Sequence, residues 1–161
     1  MSSDETVLER FPGVRLDHLN KQYYSGLLRR ELLAGRCRAC GRWHTPLRPI
    51  CPSCWSSQVG PEPVSGRGTV HLLTFLHQGP PGADYSGGFP LAAIELAEQA
   101  GLRVEATVVD CPRDRLRVGL EVELTWIGRA GAPWPAFRPA GGPAAQDPAA
   151  RDPAARDGAR P

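Results

Sequence analysis

The sequence predicts a mainly β protein: a small barrel, preceded by one helix and a metal-bearing ribbon, and followed by a tail without stable structure. Three observations carry this reading. Four strand-like segments follow one another between residues 68 and 128, separated by turns rich in glycine and proline. Two Cys-x-x-Cys pairs stand ten residues apart in CRACGRWHTPLRPICPSC, residues 37–54. One amphipathic stretch precedes them.

Bulk composition sets the limits. At 161 residues the chain has room for one modest core or two small units that share an interface. Seventeen prolines and eighteen glycines argue for short strands and many turns rather than a helical bundle. A formal charge of +2 is nearly balanced and gives no strong case for a nucleic-acid or membrane surface. No window approaches the roughly 20 apolar residues that span a bilayer, and the start MSSDETVLERFPG has neither the basic nor the apolar region of a secretory signal. The expected location is therefore cytoplasmic, where cysteines at metal spacing are ligands rather than disulfides. Cys111 stands alone and reads as a small half-buried hydrophobe.

In chain order, residues 1–14 are polar around FPG and are expected to form a flexible arm. Residues 15–30 form the predicted helix. Leu16, Leu19, Tyr23 and Leu27 fall at steps of three and four, opened by Asp17 or Arg15 without a strong cap. A helix this short is marginal in water, so its apolar face must dock, either on its own domain or on another protein. Residues 31–60 then form the ribbon, entered by the short strand ELLAGRC. The barrel occupies 61–140, with strands at 68–77, 89–98, 102–110 and 119–128. In the last of these, Val122, Leu124 and Trp126 are expected on one face and Glu121, Glu123 and Thr125 on the other. The loop QGPPGADYSGG, 78–88, is too long for a tight hairpin. Residues 141–161 carry repeats of Asp-Pro-Ala-Ala-Arg with no large apolar side chain, and are expected to be disordered.

The cysteines are the strongest chemical signal. Cys-x-x-Cys brings two sulfurs of one tight turn to a single ion, and four thiolates suit tetrahedral zinc or iron. Gly41 can take the left-handed turn after Cys40, and Pro52 stiffens the second pair. Cys37, Cys40, Cys51 and Cys54 leave no open coordination position, which points to a structural clamp rather than a Lewis acid. Zinc is favoured over iron. With four cysteines available, His44 reads as a solvated or hydrogen-bonded histidine. His71 and His77, six apart in a strand, share a face with nothing acidic to orient them. There is no nucleophile elbow, phosphate loop or dinucleotide fingerprint. Arg36, Arg38, Arg42 and Arg48 crowd the ribbon, where they can offset thiolate charge or meet a phosphate.

The order YYSGLLRRELLAGRCRACGRWHTPLRPICPSCWSS, then VSGRGTVHLLTFLH, then RVGLEVELTW and FRPA, resembles the DUF35 proteins, acyl-CoA-associated OB-fold proteins with a rubredoxin-like zinc ribbon. The likeness runs from about Leu16 to Ala140. Cys37, Cys40, Cys51 and Cys54 match the family's ribbon, Ser65, Gly66, Gly68 and Thr69 its entry into the barrel, and Tyr23 and Tyr24 an aromatic pair in its N-terminal helix. The resemblance implies a five-stranded OB barrel with a structural zinc. It also implies a non-catalytic subunit that partners a thiolase-fold aldolase, an acyltransferase or thiolase, or a MaoC-type hydratase.

On this reading the chain completes an acyl-CoA enzyme, most concretely an aldolase of steroid side-chain degradation, as an α2β2 assembly. Leu16, Leu19, Tyr23, Tyr24 and Leu27 are then expected at the partner. Arg42, Arg48, Pro80, Pro81 and Tyr85 are expected near the acyl-CoA or its channel. Two other classes compete. OB folds and zinc ribbons also bind single-stranded nucleic acid, but here aromatics in basic surroundings are few. A rubredoxin-like electron carrier would hold iron.

Overall fold

A computed structural model describes residues 3–79, 84–129 and 131–142. The expected C-terminal repeats therefore lie outside the described residues, as do Pro80 and Pro81. Two helices, α1 (Ser3–Arg10) and α2 (Asn20–Leu28), precede eight strands: β1 (Leu33–Cys37), β2 (Trp43–His44), β3 (Val59–Pro63), β4 (Arg67–Leu76), β5 (Phe89–Leu96), β6 (Arg103–Val108), β7 (Glu121–Arg129) and β8 (Ala132–Pro139).

The first correction concerns the arm. Residues expected to be loose form α1, because Val7 (0% exposed) and Phe11 (2%) have somewhere to go. They enter a cluster with Leu27 and Ala132, against which Leu16, Tyr23, Tyr24, Trp126 and Trp134 pack. The Phe11 ring lies 5.0 Å from Tyr24 and 5.4 Å from Trp134, the latter edge-on. Only two of eleven positions supply this anchor, so the stretch reads as polar.

The second helix has a stronger cap than expected, built on Asp17. Asp17 Oδ1 accepts from the Leu19 and Asn20 amides at 2.8 and 2.7 Å, and Asn20 Oδ1 accepts from the Asp17 amide at 2.8 Å. This reciprocal pair acts as a capping box with asparagine in the usual glutamate place. It also holds the Asp17 carboxyl below its ordinary pKa, through Asn20 first and Leu19 second. At the other end Arg30 takes a left-handed φ of 59° while the Arg30 and Glu31 amides donate to Leu27 and Gly26, closing a Schellman turn.

The ribbon is a three-stranded sheet in the order β2-β1-β3, and the barrel closes as β4-β5-β6-β8-β7. Strand β5 shows why the barrel forms. Ala92, Ile94 and Leu96 alternate inward and meet Val70, Leu102, Val108, Val122 and Phe137 in one core. Leu32, from the ribbon side, completes it.

Three strands were not legible, the first being β2, which at two residues is too short to show a pattern. β3 carries Pro61 and Pro63 at the sheet edge, and β8 carries Pro133, Pro135 and Pro139. β8 pairs with β7 along its whole length but with β6 only at Ala136 and Phe137, so Pro133 and Pro135 lie where one side needs no ladder bond.

Two facial expectations are also corrected. In β7, Val122 and Leu124 do face the barrel core, but Trp126 joins the helix-side cluster and Thr125 is buried. Glu123 answers Arg138 directly across the β7–β8 ladder at 2.7 Å. In β4, the register shifts between Val70 and Leu72, and the strand ends at Leu76. The bulge at His71 and the exit before His77 remove the shared face predicted for the two histidines.

Candidate metal centre

The metal ribbon is built from two turns of the same design. In the first, the Gly41 amide donates to Cys37 O at 2.8 Å and the Cys37 amide to Arg42 O at 2.9 Å. In the second, the Trp55 amide donates to Cys51 O at 3.0 Å and the Cys51 amide to Ser56 O at 2.9 Å. Each turn needs a left-handed residue just after its second cysteine. Gly41 supplies φ 75° and Trp55 supplies φ 60°. Glycine takes that conformation freely, whereas a side chain makes it costly.

These turns place all four Sγ atoms within 4.8 Å of one another, with Cys37–Cys54 and Cys40–Cys51 both at 3.6 Å. Tetrahedral thiolates at about 2.3 Å from zinc stand about 3.8 Å apart, so the donor set fits. Each turn contributes one buried cysteine (Cys37, Cys51) and one exposed cysteine (Cys40, Cys54).

The electrostatics favour a cation. Backbone donors at Ser53 and then Cys54 lower the Cys51 thiol to about 6. At Cys54 the Ser56 amide pulls the same way, but the Cys40 sulfur, burial and the Cys37 and Cys51 sulfurs prevail and push it up to about 12. Four crowded sulfurs cannot all ionise on their own, and a divalent ion removes the conflict. When bound, zinc would cross-link the turns with every position filled by sulfur.

His44 is not among the clustered ligands. Of the two expected roles, solvated or hydrogen-bonded, it takes the second: it is 8% exposed, with Nδ1 3.2 Å from Pro46 O and no partner at Nε2 among the described residues. Its ring lies over its strand partner Gly35, where an added Cβ would come within 2.4 Å of Cε1. Close approach, not turn geometry, requires that glycine. The ribbon is fastened to the barrel beside it. Gln99 grips the Trp43 backbone through both amide atoms, at 3.0 and 3.1 Å, and Thr45 Oγ1 donates to Arg103 O at 2.6 Å.

The other predicted site residues separate. Leu27 is fully buried within the chain, so the expectation that it touches a partner is corrected: the α1 helix and the β8 strand already cover it. Leu16, Tyr23 and Tyr24 also pack on that internal cluster, and Leu19 is half-buried. Arg42 and Arg48 are exposed on the ribbon, while Tyr85 lies on the β4–β5 connection against Phe89 at 5.9 Å. Cys111 packs against the barrel core, and burial raises its thiol pKa.

Two features escaped sequence reasoning. A cleft of about 540 Å³ opens between α1, the end of α2 and the β7–β8 hairpin, lined by Glu9, Arg10, Arg30 and Ile127 among others. No sequence pattern marks it. Trp55, 80% exposed, was legible only as the residue standing where the first turn has glycine.

Comparisons with known proteins agree with this geometry. Residues 25–60 match the family described as ChsH2, rubredoxin-like zinc ribbon domain, and residues 61–126 match ChsH2, C-terminal OB-fold domain. A DUF35 domain-containing scaffold protein of Methanocaldococcus jannaschii is 33% identical over 96 residues, 59% of this chain and 67% of that one. A probable enoyl-CoA hydratase alpha subunit of Thermomonospora curvata is 29% identical over 130 residues, 80% of this chain but 39% of the relative. A solved chain of the Ltp2-ChsH2(DUF35) aldolase superposes with a TM-score of 0.68 at 28% identity, covering 79% of this chain and 98% of that one.

Proposed function

Because the chain belongs to the DUF35 family of zinc-ribbon and OB-fold proteins, we propose that it is a non-catalytic accessory subunit of an acyl-CoA-processing enzyme. The observation that carries this is the aldolase match: the chain covers 98% of a DUF35 chain solved with the name Ltp2-ChsH2(DUF35) aldolase. The relative named as a hydratase alpha subunit supports the same class of work. The residues agree. The metal site is closed by four sulfurs, which suits a clamp that holds the ribbon in shape rather than a Lewis acid.

In this reading the partner is a thiolase-fold aldolase of steroid side-chain degradation, joined as an α2β2 assembly in the cytoplasm. The partner holds the reacting groups. This chain braces it and contributes to the acyl-CoA entrance, with Arg42 and Arg48 of the ribbon toward the phosphates and Tyr85 toward the channel. Leu16, Leu19, Tyr23 and Tyr24 contribute to partner binding where they remain partly open.

The test is purification of the tagged chain from its native host at moderate salt. Size exclusion follows, with mass, zinc content and 260/280 nm absorbance recorded on the peak. The reading expects an acyl-CoA enzyme and zinc in one peak. A lone chain, or a peak rich in nucleic acid, contradicts it.

A further inference from the structure

We infer that the tip of the second zinc turn, Trp55 with Ile50, is the anchor by which this chain docks its partner enzyme, into an apolar socket rimmed by carboxylates. The inference deepens the accessory-subunit reading and rests on it.

The ribbon is internally symmetric. The two turns share the same hydrogen bonds and the same left-handed position, and the first fills it with glycine. The second fills it with tryptophan, a bulky side chain in a conformation that such residues avoid. Nothing among the described residues accounts for that choice, because the indole is 80% exposed. Backbone strain held at an exposed aromatic points outward, to something the side chain meets. Ile50, 48% exposed, stands immediately before Cys51 on the same turn, and Pro49 and Pro52 beside it are exposed as well.

Charge selects the occupant. Between Glu31 and Glu62 the sequence has no acidic residue. Arg36 is paired with Glu62 at 3.0 Å, but Arg38, Arg42 and Arg48 are exposed and make no ion pair among the described residues. A second copy of this chain would bring the same arginines against them, so a symmetric contact at the tip is repulsive. A partner surface with an apolar pocket and carboxylates facing Arg38, leaving Arg42 and Arg48 to the acyl-CoA phosphates, is complementary on both counts. Tryptophan and arginine are also the residues that dominate binding energy at protein interfaces. The helix face first expected to serve this purpose is largely occupied by the chain's own α1 and β8. The zinc turn therefore presents the anchor, and the metal keeps it rigid.

The test uses Trp55→Gly, a substitution that relieves the strained position. Melting temperature and zinc content should hold or rise. Affinity for the acyl-CoA enzyme recovered with the wild-type chain, identified by mass spectrometry and measured by calorimetry with purified components, should fall about tenfold or more, as expected for a hot spot. Trp55→Asn, also tolerant of positive φ, should lose affinity alike and guards against a folding artefact. Affinity within about twofold of wild type, roughly 0.4 kcal/mol, overturns the inference while leaving the accessory reading intact. Failure of the wild-type chain to recover any acyl-CoA enzyme overturns both. Binding of a single-stranded oligonucleotide that Trp55→Gly abolishes assigns the tip to nucleic acid and also overturns it.

Discussion

Replacing Phe11 with alanine probes the part of the fold that departs furthest from sequence expectation. Phe11 is 2% exposed and touches a cluster drawn from α1, α2 and the β7–β8 hairpin. Its ring pairs with Tyr24 at 5.0 Å and Trp134 at 5.4 Å, contacts worth about 0.5–1.5 kcal/mol each beyond burial. Truncating a buried phenylalanine costs about 3–5 kcal/mol in total. The lower end applies here, because α1 can detach as a unit and so cap the loss. About 3 kcal/mol is still a large share of a domain stability of about 5–15 kcal/mol. Urea unfolding followed by tryptophan fluorescence should report it directly, since Trp126 and Trp134 pack on the same cluster. Leu8→Ala, on the 46% exposed neighbour, serves as the control and should cost under about 0.5 kcal/mol. Equal losses in the two variants would mean that residues 3–11 are an arm after all, and the docking argument would fail.

Three further outcomes follow from the ribbon and barrel. Gly35→Ala drives a Cβ to 2.4 Å from His44 Cε1 and should lower stability by about 1–3 kcal/mol; a melting temperature equal to wild type would show that the ring has room to move. Removing zinc with a strong chelator should change the fluorescence of Trp43 and lower the melting temperature, and restored zinc should reverse both; an unchanged melt would refute the clamp. Glu95 is held below its ordinary 4.5 by the Gly101 amide and then by Arg103 across the β5–β6 ladder. A depressed folded pKa means its stabilisation is complete above 4.5 and lost as pH falls through the folded value. Glu95→Gln should flatten that acid limb of a stability–pH curve, and an unaltered limb would assign it to other carboxylates.

What the sequence disclosed, and what it hid, follows from the range of the forces involved. The four-cysteine site was legible because its chemistry is local: two tight turns fix four sulfurs, and spacing alone reports them. Strands β4 to β7 were legible to within a few residues because alternation and turn residues are local as well. The helix α1 was hidden because its anchors, Val7 and Phe11, have meaning only beside Leu27 and Trp134, far along the chain. Strand β8 was hidden by prolines whose missing donors matter only if a neighbour needs them, and at Pro133 and Pro135 only β7 pairs there. The cap of α2 needed Asn20 to act where glutamate is usual. Trp55 was visible as a letter, but its significance lay in a backbone angle.

The central claim is that this chain completes an acyl-CoA enzyme without supplying the reacting groups. It is tested most directly by turnover of an acyl-CoA substrate by the recovered partner alone, by this chain alone, and by the two mixed at equal concentration. The account predicts no turnover from this chain, weak or absent turnover from the partner, and full activity only in the mixture. Full activity of the partner by itself, or any turnover by the zinc-loaded chain alone, would contradict it.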